Sequence, residues 1–251
     1  MKYIIPFFYT HKYNRKGIEG WVYFFEYYIA LLLLLFFYTS NEIELLLFIL
    51  GLTAYMLVYE IGYIENNVLA IQKEKKPTLR HNKSELYFIE KYFQKISFFR
   101  YFLSILLVYI ISLNTNVLVF VVLLIVTRVV FFLYNMKYRD GFLNRLLFVV
   151  LRFVRYFSPV WFLGIYSAVF ATVVVIVNMI NNFAWYDRWG FQLPRFFGTK
   201  LFDSAIYFGV YIYFAYGSEV DKLSYIFLYM AVIKILLFMI VFMKKGLKDE
   251  A

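Results

Sequence analysis

Runs of about 20 apolar residues recur along the chain, and they constrain its fold more than any other feature. Such runs are long enough to cross the roughly 30 Å hydrocarbon layer of a bilayer. Charged residues make up only 17% of the 251 residues, too few to cover a soluble globule of this size. Stretches such as residues 30–37 do not alternate between apolar and polar side chains, which argues against a transmembrane barrel. The sequence therefore predicts an all-α polytopic membrane protein.

The pattern predicts about eight spans, at roughly residues 20–39, 43–64, 97–113, 116–135, 142–159, 160–181, 200–216 and 223–243. Lys and Arg concentrate in the amino-terminal segment, in three alternate connections and in the carboxyl-terminal tail. The positive-inside rule then places both termini in the cytoplasm, and an even number of spans agrees with that. The span at 142–159 is the least hydrophobic, because it contains Arg145, Arg152 and Arg155. If it lies along the membrane interface, the count is seven.

Composition also limits the chemistry. The chain has no cysteine and only two histidines, which excludes disulfides, thiolate catalysis and a His-rich metal centre. We interpret the net charge of +10 as cytoplasmic loops facing anionic headgroups, and not as a surface for nucleic acid. The expected location is the bacterial inner (cytoplasmic) membrane, with the bilayer itself as a partner.

Polar side chains gather at the end of the second predicted span. Glu60, Glu65, Asn66 and Asn67 lie there, and a basic run follows at residues 73–80. Such groups each cost a few kcal/mol at membrane depth unless they are paired or face water. They predict a site for a polar, anionic, lipid-linked ligand. The alternative is an ordinary helix end with Asn capping and solvated loop charges.

The two longest connections, at about 65–96 and 182–199, follow the second and sixth spans. They occupy the same place in two four-helix halves of a single membrane domain, at about 20–135 and 142–243, and both are polar and basic. Within the first connection, residues 84–95 have apolar side chains near helical spacing, with Ser84 as a possible cap. This stretch predicts a short helix that lies on the membrane surface or covers a cavity.

This arrangement resembles the UbiA superfamily of intramembrane prenyltransferases. That family has an Asn-Asp-x-x-Asp-x-x-x-Asp motif after its second helix, followed by a basic run of the Lys-Pro-x-x-Arg type. Here the same spacing begins at Asn66, places Asn67 and Ala70 on the first two aspartates, and places Glu74 on the third. Residues 76–80, Lys-Pro-Thr-Leu-Arg, resemble the basic run and are closest to the phosphoribosyltransferase branch.

The resemblance implies a membrane-embedded transferase that acts on a polyprenyl phosphate or diphosphate at the cytoplasmic face. A prenyl or phosphoribosyl group would be transferred as diphosphate leaves. Members hold Mg²⁺ through the motif carboxylates, but Asn67 offers only a neutral oxygen and Ala70 offers none. A non-enzymatic lipid-phosphate binding protein, carrier or accessory subunit on a UbiA-like scaffold is therefore the alternative. The implied site comprises catalytic Asn66, Asn67 and Glu74, metal-binding Asn67, Glu74 and Asp187, and supporting Glu60 and Glu65.

Arginines in predicted spans form a second group of candidates. Arg128 lies in the fourth span, and Arg145, Arg152 and Arg155 lie roughly on one face of the fifth. A guanidinium group stays charged and binds phosphate through paired hydrogen bonds. Snorkelling to the headgroups is the alternative, and it suits Arg145 better than the other two. The predicted phosphate-binding residues are Lys76, Arg80, Arg128, Arg152, Arg155, Arg188 and Arg195.

Three further charged residues, Glu26, Asp203 and Lys234, also fall within predicted spans. Because isolated charges are costly at membrane depth, we expect each of them to pair internally.

Overall fold

The computed structural model describes residues 2–14, 24–39, 42–70, 81–137, 142–185, 200–217 and 221–249. All regular elements in these ranges are helical. The chain forms two compact units. The first contains Met1–Gly20 and Ser40–Phe162, and the second contains Trp21–Thr39 and Leu163–Ala251.

The described ranges contain eight α-helices, which we number in chain order. They are α1 (Ala30–Tyr38), α2 (Glu42–Glu65), α3 (Lys83–Ser112), α4 (Leu118–Phe132), α5 (Phe142–Phe157), α6 (Ile165–Trp185), α7 (Lys200–Gly217) and α8 (Asp221–Asp249). Short π-helical turns precede α1 at Phe24–Ile29, continue α2 through Asn66–Ala70 and continue α4 through Leu133–Lys137.

Four helical segments of the first unit are long and apolar enough to cross a membrane. They are Glu42–Val68, Lys83–Ser112, Leu118–Asn135 and Leu146–Leu163. Two shorter apolar segments, Phe24–Tyr38 and Ile165–Val177, lie in the second unit. The all-helical fold is therefore confirmed for the described residues, four of whose helical segments are candidate membrane spans, while the eight-span arrangement in two four-helix halves stays a prediction.

The stretch 84–95 is not a separate helix, because it forms the first turns of α3. The sequence of α3 contains no Gly or Pro between Lys83 and Ser112, so nothing interrupts the helix before the predicted span begins. Asn82 caps α3, and its side-chain oxygen accepts hydrogen bonds from the Glu85 N–H at 2.8 Å and the Ser84 hydroxyl at 2.9 Å. Ser84 therefore contacts the cap and is not itself the capping residue.

The helix α2 lies at the centre of the first unit. Its side chains are buried almost continuously from Leu47 to Glu65, and it packs against α3 and α4. The residue Gly51 lies against Trp161, where an added Cβ would approach a ring carbon to 2.7 Å. The Trp161 ring in turn stacks on Phe120 of α4, with 4.4 Å between centroids. This close approach fixes α2 against the residues that follow α5.

After α5 the chain bends, as Pro159 predicts. A 3-10 turn occupies Ser158–Leu163, and Val160 within it has non-helical backbone angles. Gly164 follows with a φ of +58°, a backbone conformation that residues other than glycine rarely adopt. The helix α6 then begins at Ile165.

In the second unit, α7 packs along α8, and both contribute aromatic side chains to its core. The buried rings of Tyr207 and Phe227 stack with 6.3 Å between centroids. Between these helices and the turn before α1, Lys234 Nζ lies 2.8 Å from Glu26 Oε1 and 3.3 Å from Asp203 Oδ2. The expectation of internal pairing is confirmed for all three residues.

Candidate anion-binding site

A cluster of polar side chains forms where the carboxyl end of α2 meets the end of α4. The Oε2 atom of the buried Glu65 carboxylate lies 3.4 Å from Arg128 Nη2. The same oxygen accepts a hydrogen bond from Asn135 Nδ2 at 3.4 Å. The Asn135 amide also donates to the Gly62 carbonyl at 3.1 Å. We call these residues, Glu65, Arg128 and Asn135, the Glu65–Arg128 cluster.

The two helices approach closely enough for this cluster because residue 62 is a glycine. An added Cβ at Gly62 would lie only 2.2 Å from the Phe131 ring. The rings of Tyr59 and Tyr63 pack edge-on against Phe131, at 5.0 and 5.9 Å between centroids. Arg128 precedes Phe131 on α4 by three residues, and Asn135 follows it by four in the π-helical turn that continues α4, so all three lie near one helical face.

The guanidinium group of Arg128 has unused hydrogen-bonding capacity. Its Nε and Nη1 atoms are buried and have no hydrogen-bond partner in the described part of the chain. Beside it lies the ring of Tyr101, 5.9 Å from the guanidinium carbon. The side chain as a whole is 21% exposed, while these two nitrogens are themselves buried, so a ligand reaches them only as the surrounding side chains move aside. Since buried donors without acceptors are costly, this group is suited to bind further oxygen atoms.

A second arginine, on α5, lies near the ring of Tyr59. Arg155 is only 6% exposed, and its guanidinium carbon lies 5.8 Å from the ring centroid of Tyr59. Tyr59 in turn packs edge-on against Phe131, which lies on the same helical face as Arg128. Arg152 instead lies over Phe148 of its own helix, at 4.5 Å.

The other predicted residues fall in different places. Glu60 is not part of the Glu65–Arg128 cluster, since it forms a fully buried ion pair with Arg100 at 2.8 Å. Asn67 is buried beyond the end of α2, and Asn66 is half-buried. Six predicted residues lie outside the described residues, namely Glu74, Lys76, Arg80, Asp187, Arg188 and Arg195. The side chain of Arg145 also lies outside what the structure describes.

The described residues do not by themselves fit a magnesium site. In the ranges that the structure describes, no three His, Cys, Asp or Glu side chains are grouped as metal ligands would be. The carboxylate next to the motif, Glu65, is already paired with Arg128, whereas Mg²⁺ needs available oxygen ligands. The predicted Mg²⁺ site therefore depends on Glu74 and Asp187 and stays a prediction.

Two residues of this region were missed by the sequence reasoning. Asn135 lies at the end of a predicted span and carries no motif, so nothing distinguished it. Arg100 lies near the start of the third predicted span, and a charge at that depth is by itself a signal of a buried partner.

Comparisons with known proteins do not identify the chain. No protein-family model matches it, and neither the curated proteins nor the solved structures give a match. The resemblance to the UbiA superfamily consequently stays a prediction, and the site has to be interpreted from its own geometry.

Proposed function

We propose that the chain is a membrane-embedded transferase that acts on a polyprenyl phosphate or diphosphate at the cytoplasmic face. In this proposal Arg128 and Arg155 bind the headgroup at the carboxyl end of α2. The observation that carries it is that two nitrogen atoms of Arg128, Nε and Nη1, are buried and have no hydrogen-bond partner among the described residues. Phosphate oxygens are acceptors that satisfy such donors with charge-assisted hydrogen bonds.

The charge balance of the site supports an anionic ligand. Arg128 and Arg155 contribute two positive charges, and Glu65 contributes one negative charge, which leaves one positive charge among these three residues. Arg155 lies beside the ring of Tyr59, and Arg128 lies beside the ring of Tyr101. An apolar wall next to cationic donors suits a ligand that joins a hydrocarbon chain to a phosphate.

For the transfer step, the arginines would act on the leaving group. Negative charge develops on the diphosphate as its bond to the prenyl or ribosyl carbon breaks, and fixed guanidinium donors stabilise that charge. Glu65, itself held by the Asn135 amide, would hold Arg128 in place for this purpose. No step is assigned to Mg²⁺, because Glu65 is engaged with Arg128.

The second candidate is a non-enzymatic lipid-phosphate binding protein, either a carrier or an accessory subunit. The Glu65 carboxylate is already paired with Arg128 and hydrogen-bonded by Asn135. This favours the second candidate, because lipid binding needs the arginines but no free carboxylate. Both candidates share the headgroup site and differ only in whether the bound lipid reacts.

The binding test uses the purified full-length protein in lipid nanodiscs with farnesyl diphosphate or undecaprenyl phosphate as the probe. We expect Arg128→Gln to weaken binding about tenfold or more, because a hydrogen bond to a charged group is lost. Lys91→Gln is the control, since Lys91 is exposed on α3. Unchanged affinity of Arg128→Gln would overturn the proposed site.

The reaction test separates the two candidates. With Mg²⁺ present, a transferase releases diphosphate from a prenyl diphosphate or from phosphoribosyl diphosphate in the presence of an acceptor. Binding with no release from either substrate supports the carrier or accessory role.

A further inference from the structure

The first 14 residues contain a segment that packs across the end of the first unit. It consists of residues 2–14 and includes short helical turns at Lys2–Ile4 and Thr10–Asn14. We call it the amino-terminal strap. Its three tyrosines, Tyr3, Tyr9 and Tyr13, are buried, as is Thr10; the tyrosines contribute apolar contacts. The tyrosines belong to one apolar cluster with four aliphatic side chains. Ile64 lies on α2, Val68 lies in the turn that follows α2, and Ile89 and Ile96 lie on α3.

One polar anchor of the strap is the buried ion pair of Glu60 and Arg100. The Arg100 guanidinium donates from Nε to the Tyr3 carbonyl at 2.7 Å and from Nη2 to the Ile5 carbonyl at 3.1 Å. In return, the Thr10 N–H donates to Glu60 Oε1 at 2.6 Å. The ion pair therefore holds the backbone of the strap and not only the helices that carry it.

A second anchor lies at the start of α3. The Tyr9 hydroxyl lies 2.7 Å from His81 Nε2. The Tyr13 hydroxyl donates to Glu85 Oε1 at 2.9 Å, and Lys12 Nζ lies 3.3 Å from the same oxygen. Burial raises the pKa of the Tyr13 phenol, so it stays a neutral donor at physiological pH.

The strap has little regular structure of its own. Its own helical turns are three and five residues long, which is too short to be stable alone. Phe7 has a φ of +68°, a strained conformation for a non-glycine residue. Its polar anchors are hydrogen bonds and an ion pair, which water can replace, while its buried tyrosines lose apolar contacts when the segment lifts away. A short terminal segment can open separately from the helices on which it packs.

The position of the strap connects it to the headgroup site. The strap covers Ile64 and Val68, and between these two residues lie Glu65, Asn66 and Asn67. Glu65 belongs to the Glu65–Arg128 cluster. Apolar burial by the strap and ligand binding by the cluster thus concern the same short stretch, residues 64–68.

We propose that the amino-terminal strap is an autoinhibitory latch, which covers the carboxyl end of α2 and is displaced when a phosphate or diphosphate headgroup binds there. This inference rests on the proposed function for the ligand and on the strap contacts for the latch. Thr10 is the residue to change, because its N–H reaches Glu60 while the residue lies outside the headgroup cluster.

The experiment uses single cysteines, since the natural chain has none. Ile64→Cys places a thiol beneath the strap, and Ala54→Cys places one at an equally buried position deeper in α2. The rate of labelling by a soluble maleimide is measured on the full-length protein in nanodiscs. We expect Thr10→Pro, which removes the N–H donor, to raise labelling at residue 64 about tenfold or more. Thr10→Ala keeps the N–H and should leave the rate unchanged, and residue 54 should stay protected throughout.

Three further measurements test the coupling. In the Ile64→Cys protein, farnesyl diphosphate should raise the labelling rate, and inorganic pyrophosphate should do so if the headgroup alone displaces the strap. Thr10→Pro should also tighten farnesyl diphosphate binding, because the latch no longer competes. Faster labelling with unchanged affinity in Thr10→Pro would overturn the latch and leave the strap as a structural element. Absence of ligand binding in both backgrounds would instead overturn the proposed function.

Discussion

The buried ion pair between Glu60 and Arg100 makes an asymmetric prediction about stability. Both side chains are fully buried and lie 2.8 Å apart. Breaking such a pair by removing one partner costs about 3–5 kcal/mol, because the remaining charge is left without compensation. The two single variants should differ, since the charges have different remaining partners.

When Glu60 is replaced by Gln, the Arg100 guanidinium keeps three carbonyl acceptors, on Tyr3, Ile5 and Leu57. When Arg100 is replaced by Gln, the Glu60 carboxylate keeps the Thr10 N–H, and those three carbonyls lose their donor. We therefore expect about 3 kcal/mol for Glu60→Gln and about 5 kcal/mol for Arg100→Gln. For a chain of this length, 3 kcal/mol corresponds to a fall in Tm of roughly 6–12 °C.

The assay is the free energy of unfolding in mixed micelles titrated with SDS and followed by circular dichroism. The double variant, Glu60→Gln with Arg100→Gln, should lose about 1–3 kcal/mol less unfolding free energy than the two single variants lose together. Lys91→Gln serves as the exposed control and should stay within about 0.5 kcal/mol of the parent. Additive costs, or a smaller cost for Arg100→Gln than for Glu60→Gln, would refute the reasoning.

Three further predictions concern other parts of the chain. Gly62→Ala should lower the free energy of unfolding by about 1–3 kcal/mol, because the added Cβ would clash with the Phe131 ring. Gly209→Ala should not destabilise the protein, because no atom lies within 4 Å of its added Cβ. Equal unfolding free energies for the two variants would contradict this. Lys234→Met should cost about 3–5 kcal/mol by stranding Glu26 and Asp203, and adding Asp203→Asn should recover part of that loss in the same unfolding assay. The thiol of Asn114→Cys should react with an impermeant maleimide added to intact cells, because the positive-inside rule predicts that the turn after α3 faces the outside. Labelling only after the cells are permeabilised would reverse the predicted orientation.

Much of the helical pattern follows from the sequence. The apolar runs locate α2 and α4 to within a few residues, because length and hydropathy alone define such segments. The bend after α5 follows from Pro159, which cannot continue a helix without losing a hydrogen bond. Pairing of Lys234 follows from the cost of an isolated charge. These features depend on local chemistry, which a sequence displays directly.

The contacts that build the site do not follow from the sequence. Glu60 and Arg100 are 40 residues apart, and their pairing depends on how α2 lies against α3. The docking of the strap depends on backbone carbonyls of Tyr3 and Ile5, which every sequence possesses. Asn135 meets Glu65 only because Gly62 lets two helices approach. Such contacts are set by tertiary packing, so residue types and spacing reveal them only once the helices are placed.

The burial of Glu60 has a consequence for how the protein is made. During synthesis, α2 emerges with Glu60 before its cationic partner exists, since Arg100 is translated 40 residues later, which takes about 2–8 s at typical rates. A lone carboxylate opposes entry into the bilayer, and the strap, already synthesised, supplies only the Thr10 N–H. We therefore expect α2 and α3 to enter the membrane together as a helical hairpin. Stalling translation before Arg100 should leave α2 accessible from the cytoplasm.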